Sequence, residues 1–187
     1  MNALVKTEDM PLVSPKAAQA VAEQKQYLTF MVGGEMFAIG ILCIREIIWY
    51  GGLTEVPMMP ACIRGVINVR GAVVPVMDLS SRFGRPATAI TKNTCIIIIE
   101  VETPTEGELQ SIGMAVDAVQ AVLEIASSQI EPPPSFGAKI RTDFIEGIGK
   151  VSEKFVILLN VNKVLSTEEI GQMGQLASSS DLSVLQS

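Results

Sequence analysis

The chain has 187 residues, 48% of them hydrophobic, and its 14 Lys and Arg against 20 Asp and Glu give a formal net charge of −6. The basic residues are scattered along an acidic chain, which excludes an ordinary nucleic-acid binder because phosphate-backbone affinity comes from clustered Lys and Arg. The absence of histidine from the sequence excludes Ser-His-Asp and Cys-His catalysis, His-ligated metal sites and a phospho-accepting histidine.

The cysteines and the N-terminus indicate the compartment. Cys43, Cys62 and Cys95 include no C-x-x-C pair, so we expect buried, reduced thiols. The opening MNALVKTEDMPL carries two acids and no apolar core, which is not typical of a signal peptide. No run approaches the roughly 18 apolar residues of a membrane-spanning helix. We therefore expect a cytoplasmic protein without direct membrane insertion.

The first predicted elements are a flexible leader and a hairpin. Residues 1–25 are rich in Ala, Gln, Lys and Pro and lack aromatic side chains, which predicts a flexible leader with a short helix at Ala17 to Gln24. The fold is predicted to begin at Gln26, because Gly33-Gly34 accepts positive φ at both positions of a tight turn. The strands of this hairpin are Tyr27 to Val32 and Glu35 to Ile39.

A second hairpin follows an irregular strand. Ile41 to Trp49 is apolar but interrupted by two charged residues, so we predict an irregular strand. Pro75 indicates an edge or bulge position, since proline donates no ladder hydrogen bond. Asp78 is predicted to cap a short helix that runs through Phe83. The hairpin itself comprises Ile63 to Val69, the tip Arg70-Gly71, and Ala72 to Met77.

Short strands also predominate in the second half. The capping box Ser166-Thr-Glu-Glu169 and the one-sided spacing of Ile170, Met173 and Leu176 predict a C-terminal helix, and the Ser-rich end from Ser178 a mobile tail. The predicted strands are Cys95 to Val101, Ser111 to Val116, Val119 to Ile125, Phe144 to Val151 and Lys154 to Asn160.

An internal repeat appears when the chain is aligned with itself at offsets of 75 and 82 residues. In each half an N-cap residue precedes a short helix. Two copies of a unit of four or five short strands, each too small to bury a good core alone, predict two barrels packed together. The aligned pairs are Phe37 to Ile44 with Ile112 to Val119, Ile63 to Val69 with Ile145 to Val151, and Asp78 with Asn160.

One cluster of carboxylates and the single residue Asp78 are candidates for metal binding or catalysis. A cluster at one turn is either a hard-metal site with oxygen ligands or a solvated hairpin tip, and the solvated tip is favoured. Asp78 is a candidate catalytic acid, but its position after a strand and its match with Asn160 favour capping. No phosphate-binding signature is present, so we expect no nucleotide cofactor. The clustered carboxylates are Glu100, Glu102, Glu106 and Glu108.

The tip Asn68-Val69-Arg70-Gly71 has the charge pattern expected of a contact site. The corresponding tip of the second copy is Lys150-Val151-Ser152-Glu153, so the two halves differ in charge there. Arg70 places a planar group with five donors at a hairpin tip, where it can bind a partner's carboxylate or backbone. The alternative is a solvated arginine.

The segment Pro60 to Leu79, PACIRGVINVRGAVVPVMDL, resembles the signature of the CheW family of chemotaxis coupling proteins. The resemblance extends from about Gln26 to Leu165. It implies two five-stranded β-barrels around a shared apolar interface, in a domain over 26–165. The short helices and the C-terminal helix and tail over 166–187 are predicted from the capping and composition signals given above. This chain departs from the family at Ser80, where many members carry Arg, and in its long leader. Three further segments match in the same order, namely Phe37 to Ile48, Ile112 to Val119 and Phe144 to Gly149.

The resemblance also implies a function. Family members are adaptors without catalysis that link methyl-accepting chemoreceptors to the histidine kinase CheA, whose C-terminal regulatory domain is itself CheW-like. It therefore implies recruitment to membrane-associated chemoreceptor arrays, with no catalytic residue, metal or cofactor. The implied receptor-binding residues are Gly65, Asn68, Arg70 and Val122. The implied kinase-binding residues are Ile39, Leu42, Ile44 and Glu46, with Ile44 and Glu46 open to either partner.

The sequence has three alternative interpretations. A paralogous adaptor for a non-chemotactic kinase pathway, such as twitching motility or second-messenger control, has the same sequence features. A hydrolase using Asp78, Asp117 or the Glu-rich turn is disfavoured because no acidic cluster converges on the predicted core strands. The fused adaptor-receiver architecture of CheV is disfavoured because only 22 residues follow Leu165, too few for a receiver domain.

Overall fold

The computed structural model describes residues 24–102, 107–133 and 141–165. The predicted leader before residue 24, Glu106, and the predicted C-terminal helix and tail lie outside them. The described strands are β1 Lys25–Val32, β2 Glu35–Gly40, β3 Ile44–Trp49, β4 Ile63–Val69, β5 Ala72–Asp78, β6 Cys95–Glu102, β7 Leu109–Val116, β8 Ala118–Ile125, β9 Ile130–Glu131, β10 Ile145–Val151 and β11 Lys154–Leu159. The described helices are α1 Leu79–Arg82, α2 Val161–Val164, and single 3-10 turns at Ile41–Cys43, Ser127–Gln129 and Thr142–Phe144. None of these described helices is long and apolar enough to cross a membrane.

The strands form two packed sheets, which confirms the mainly β fold. One sheet has the order β8-β1-β2-β11-β10-β9 and the other β3-β6-β7-β5-β4. Most neighbours are antiparallel, but β2 pairs with β11 and β5 with β7 in parallel. The barrel prediction needs correction, because neither sheet closes within the described residues and one of them has six strands. The edge strands of the five-stranded sheet are β3 and β4. An isolated bridge between Thr54 and Val66 joins the segment that follows β3 to β4.

The two sequence copies exchange strands between the sheets. In the first copy, β1 and β2 lie in the six-stranded sheet, whereas β3, β4 and β5 lie in the five-stranded one. The second copy does the reverse, since β6 and β7 lie in the five-stranded sheet and β8 to β11 in the other. Each sheet therefore contains strands of both copies, and neither copy forms a sheet on its own.

The exchange produces one shared core and two small ones. The shared core lies between the sheets and contains Phe30, Phe37 and Met114. Along β6, Ile97 and Ile99 belong to the shared core, while Ile96 and Ile98 belong to a small cluster of the five-stranded sheet. A strand buried on both faces explains the run of four isoleucines. The six-stranded sheet has its own cluster of Tyr27, Ala38, Ile125, Val156 and Leu158.

The tight turns of two hairpins contain residues whose backbone has a positive φ. Gly33 and Gly34 adopt φ of 58° and 83°, as predicted for the β1–β2 turn. At the β4–β5 tip Arg70 has φ of 52° and Gly71 of 88°. The Asn68 side chain stabilises that tip, because its Oδ1 accepts a hydrogen bond of 2.8 Å from the Gly71 N–H.

Two local predictions differ from the structure in detail. The segment Ile41–Trp49 begins with a 3-10 turn, and the strand starts only at Ile44. β5, which carries Pro75, is an interior strand rather than an edge strand. However, β5 pairs with β7 only from Val76 to Asp78. Pro75 precedes this pairing, so the N–H that proline lacks is not needed for a hydrogen bond to β7.

Candidate functional site

Asp78 is the centre of a buried polar cluster that supports the β4–β5 hairpin. Its carboxylate is 0% exposed and caps α1 by accepting hydrogen bonds from the Ser80 and Ser81 N–H groups. It also accepts bonds of 2.8 Å from the N–H and the hydroxyl of Thr88. Nε of Arg64 lies 3.1 Å from its Oδ2. These contacts confirm capping and leave this carboxylate enclosed by structural partners.

The second copy repeats the cap in a simpler form. Asn160 precedes α2, and its side chain accepts a hydrogen bond from the Lys163 N–H. Glu146 occupies the position that Arg64 has in the first copy, so the ion pair is not repeated. The predicted correspondence of Asp78 and Asn160 as N-caps is confirmed.

Gly65 is placed by the backbone beside it. It has φ of +153° and lies at a shift in the β4–β5 register. A Cβ at this position would overlap the carbonyl oxygen of Thr54 and approach its carbonyl carbon to 2.9 Å. Thr54 and Val66 exchange two backbone hydrogen bonds of 2.9 Å in the adjoining bridge. The close approach of two backbones therefore requires glycine here.

Arg70 is exposed at the tip of the β4–β5 hairpin. Its side chain is 80% exposed, and Nη2 lies 3.6 Å from Oε2 of Glu46 on β3. Asn68 is exposed on the same hairpin. The structure thus brings together Arg70, from the predicted receptor-binding residues, and Glu46, from the predicted kinase-binding residues. An exposed pair of this kind contributes only about 0–1 kcal/mol to stability.

The other kinase-side residues differ strongly in exposure. Leu42, in the 3-10 turn after β2, is 99% exposed. Ile44 is half-buried against the shared core. Ile39 is 0% exposed, so its side chain belongs to the core, and any role in binding is indirect. Leu42 is therefore the fully exposed member of this group, whereas Glu46 is half-buried beside Arg70.

Val122 lies on the other sheet from the Arg70 tip. It is half-exposed on β8, where it pairs with Leu28 of β1. The offset of 75 residues aligns Val122 with Ile47 on β3, which is also exposed. Both residues lie on edge strands that follow equivalent hairpins.

A cleft of about 540 Å³ between β3 and β8 was not predicted from the sequence. Trp49, at the end of β3, is 71% exposed and lines it. An exposed Trp on an edge strand is uncommon in a surface without partners, since large aromatic side chains are enriched at interfaces. The alignment of Ile47 with Val122 at the offset of 75 residues is a sequence signal that could have indicated these strands. The other lining residues are Ile47, Ile48, Asn93, Cys95, Ala118, Val119 and Gln120.

The cysteines and acidic residues show no arrangement for chemistry among the described residues. None of the three cysteines forms a disulfide; Cys62 and Cys95 are buried and Cys43 is half-buried. Burial raises the pKa of the Cys43 and Cys95 thiols, which lowers the fraction of reactive thiolate at neutral pH. In the part of the chain that the structure describes, no three Cys, Asp or Glu residues converge as a metal site. Glu100 is engaged in an ion pair of 3.0 Å with Arg45.

Comparisons with known proteins identify the relatives of this chain. The family model described as "CheW-like domain" matches residues 26–169. Chemotaxis protein CheW of Klebsiella aerogenes is 33% identical over 167 residues, which cover 89% of this chain and 96% of that protein. Protein FrzA of Myxococcus xanthus is 29% identical over 153 residues, which cover 81% of this chain and 91% of FrzA.

A solved structure supports the same relationship. The crystal structure of the scaffolding protein TtCheW from Thermoanaerobacter tengcongensis matches with a TM-score of 0.67 and 35% identity. The match covers 75% of this chain and 86% of that one. The sheets described above are therefore those of a known scaffold fold.

Proposed function

Because the chain belongs to the CheW family of chemotaxis scaffold proteins, we propose that it couples methyl-accepting chemoreceptors to a CheA-type histidine kinase. It binds the receptors' cytoplasmic tips and the kinase's C-terminal regulatory domain, at receptor arrays next to the membrane. Holding both partners in one geometry controls kinase autophosphorylation through coupled binding equilibria. The protein itself catalyses no step and needs no cofactor.

The observation that carries this proposal is the contact between Arg70 and Glu46. It joins an exposed cationic hairpin tip to β3, the strand that follows the exposed Leu42 turn. A partner carboxylate that binds Arg70 competes with Glu46 for the same guanidinium. Receptor binding at the tip therefore alters the charge balance of β3, next to the surface proposed for the kinase. The cleft between β3 and β8 adds apolar area beside this strand for the receptor.

A paralogous adaptor for a non-chemotactic pathway is the alternative. Chemotaxis protein CheW of Klebsiella aerogenes and the CheW crystal structure match this chain at 33% and 35% identity, against 29% for FrzA. This difference favours the chemotactic pathway.

Arg70→Glu is expected to weaken receptor binding at least tenfold, since a lost charge-assisted contact to a carboxylate costs about 1.5–3 kcal/mol. The free energy of unfolding is expected to change by less than about 0.5 kcal/mol, because the tip is exposed. Binding is measured by co-sedimentation with receptor-containing membranes, and stability by urea unfolding. The matched control is Ser152→Glu, at the equivalent left-handed position of the β10–β11 tip. Equal binding by wild type and Arg70→Glu would refute the receptor role of Arg70.

Leu42→Asp is expected to weaken kinase binding at least tenfold, because an exposed apolar anchor is replaced by a charge at a desolvated contact. Its stability is expected to stay within about 0.5 kcal/mol of wild type, since the side chain is 99% exposed. Calorimetric titration with the kinase's regulatory domain measures the effect. Leu109→Asp, an exposed leucine at the start of β7, is the control. If both variants bind the kinase domain like wild type, Leu42 is not a kinase contact.

A further inference from the structure

The edge strand β8 contains a β-bulge opposite Thr29 of β1. Two residues of β8 lie opposite this one residue of β1, because the register shifts between Leu28 and Phe30. A bulge of this kind interrupts the backbone ladder and changes the face to which the following side chains point. The flanking pairs are Phe30 with Val119 and Leu28 with Val122, and the two bulged residues are Gln120 and Ala121.

The bulge places Val119 and Val122 on the same face of β8. Side chains alternate between the two faces of a regular strand, so residues three apart would point to opposite faces. Directly opposed residues share a face, and Leu28 and Phe30 both belong to the shared core between the sheets. Val119 packs against that core and lines the cleft between β3 and β8. The half-exposed Val122 therefore lies on the face of β8 that borders the cleft.

The Thr29 side chain closes the bulge. Thr29 is only 1% exposed, and a buried hydroxyl without a hydrogen bond would be costly. Its Oγ1 donates to the Ala121 carbonyl oxygen at 2.9 Å and accepts from the Ala121 N–H at 3.1 Å. A hydroxyl can make both bonds because it has one donor and two acceptor positions. One side chain thus binds both polar backbone groups of a bulged residue.

The first copy has the same bulge at the aligned position. On β3 the register against β6 shifts between Ile44 and Glu46. The offset of 75 residues aligns Ile44 with Val119 and Ile47 with Val122. Ile47 lines the cleft as well. Both edge strands therefore use a bulge to turn an apolar side chain towards the cleft.

The two bulges are held by different groups. Ile98 of β6 lies opposite the β3 bulge, in the place that Thr29 has opposite β8, and its side chain has no polar atom. Arg45, a bulged residue of β3, forms the ion pair with Glu100. The bulge of this fold can therefore form without a hydroxyl opposite it. The two hydrogen bonds of Thr29 serve to fix the backbone of β8 in one position.

We propose that Thr29 is a positioning residue for receptor binding. Its hydroxyl holds the β8 bulge, and the bulge holds Val122 on the face that borders the cleft. This inference rests on the proposed function, in which Val122 contacts the receptor, whereas the buried Thr29 does not. Without the hydroxyl, Ala121 loses two hydrogen bonds on a strand at the edge of the described sheet. The bulge is then expected to open more often.

Hydrogen exchange of the full-length protein without partners tests the first step. Thr29→Val removes the hydroxyl and keeps the shape of the side chain, whereas Thr29→Ser keeps the hydroxyl. In Thr29→Val we expect roughly tenfold faster exchange of the amides from Gln120 to Val122, with exchange in β6 unchanged. Thr29→Ser is expected to exchange within about twofold of wild type.

Co-sedimentation with receptor-containing membranes tests the second step. Thr29→Val is expected to bind about threefold to tenfold more weakly, because the arrangement of β8 that binds the receptor is populated for less of the time. Thr29→Ser is expected to bind like wild type. Ile145→Val is the control for a general loss of stability, since it removes a buried methyl group from β10, four strands away from β8 in the same sheet. Its binding is expected to equal that of wild type.

The outcomes separate this proposal from the proposed function. Weaker binding and faster β8 exchange in Thr29→Val, both restored in Thr29→Ser, would support the positioning role. Unchanged exchange at Ala121, wild-type binding by Thr29→Val, or an equal loss of binding in Ile145→Val would each overturn it while the proposed function stands. If the wild-type protein itself does not bind the membranes, the proposed function is refuted, and the assignment of Thr29 to receptor binding falls with it.

Discussion

Asp78→Ala is expected to lower the free energy of unfolding by about 3–5 kcal/mol, the loss typical of removing one partner of a buried ion pair. The substitution leaves the Thr88 N–H and hydroxyl and the Ser80 N–H without their shared acceptor, and the Arg64 guanidinium without its ion-pair partner. Since domains of this size have a total stability of about 5–15 kcal/mol, a substantial unfolded population is expected on mild warming. Urea unfolding followed by circular dichroism measures the change.

The matched control for Asp78 is Asn160→Ala in the second copy. Asn160 caps α2 through one hydrogen bond and has no ion pair, so the expected loss is about 1 kcal/mol, typical of a single N-cap. A comparable loss in both variants would contradict the view that Asp78 is the centre of a polar cluster and not merely a cap.

Gly65→Ala is expected to cost about 3 kcal/mol, because the left-handed φ alone costs about 1–3 kcal/mol in a residue with a Cβ and the overlap with Thr54 adds to it. The bridge between Thr54 and Val66 must open to admit the methyl group. Thermal unfolding measures the loss. Any loss of receptor binding in this variant is then expected to follow the unfolded fraction and to vanish at a temperature at which the variant is folded.

Gly147→Ala is the control at the aligned position of the second copy. There a Cβ would lie 2.5 Å from Ile130 Cγ2, a side-chain methyl group, and 3.0 Å from the Glu131 carbonyl oxygen, but no positive φ is required. The expected cost is about 1–2 kcal/mol, within the range for overpacking. If Gly147→Ala is as destabilising as Gly65→Ala, the strain assigned to Gly65 is absent.

Local patterns predicted the hairpins and caps of this fold because their causes lie within a few residues. Gly33-Gly34 has no Cβ to oppose positive φ, and Asp78 and Asn160 occupy the residue before a helix whose N–H groups need an acceptor. The four consecutive isoleucines of β6 predicted a buried strand, and the structure buries it on both faces. The structure confirms each of these.

The exchange of strands between sheets had no local signal. The parallel pairings of β2 with β11 and of β5 with β7 join segments far apart in the chain, and strand propensity does not specify the partner of a strand. The same limit explains why Ile39 was included among the implied kinase-binding residues, although β2 is an interior strand and Ile39 is buried. The contact of Arg70 with Glu46 and the cleft beside Trp49 likewise join strands that are not consecutive in the sequence.

Recruitment of the kinase to receptor-containing membranes is the measurement that tests the central claim most directly. Membranes, kinase and this protein are mixed and sedimented, with the kinase assayed in the pellet. We predict that the kinase sediments only when the wild-type protein is present. Leu42→Asp is expected to sediment without the kinase, and Arg70→Glu is expected to stay in the supernatant with it. Kinase recruitment that does not depend on this protein, or a protein that binds neither partner, would contradict the adaptor function.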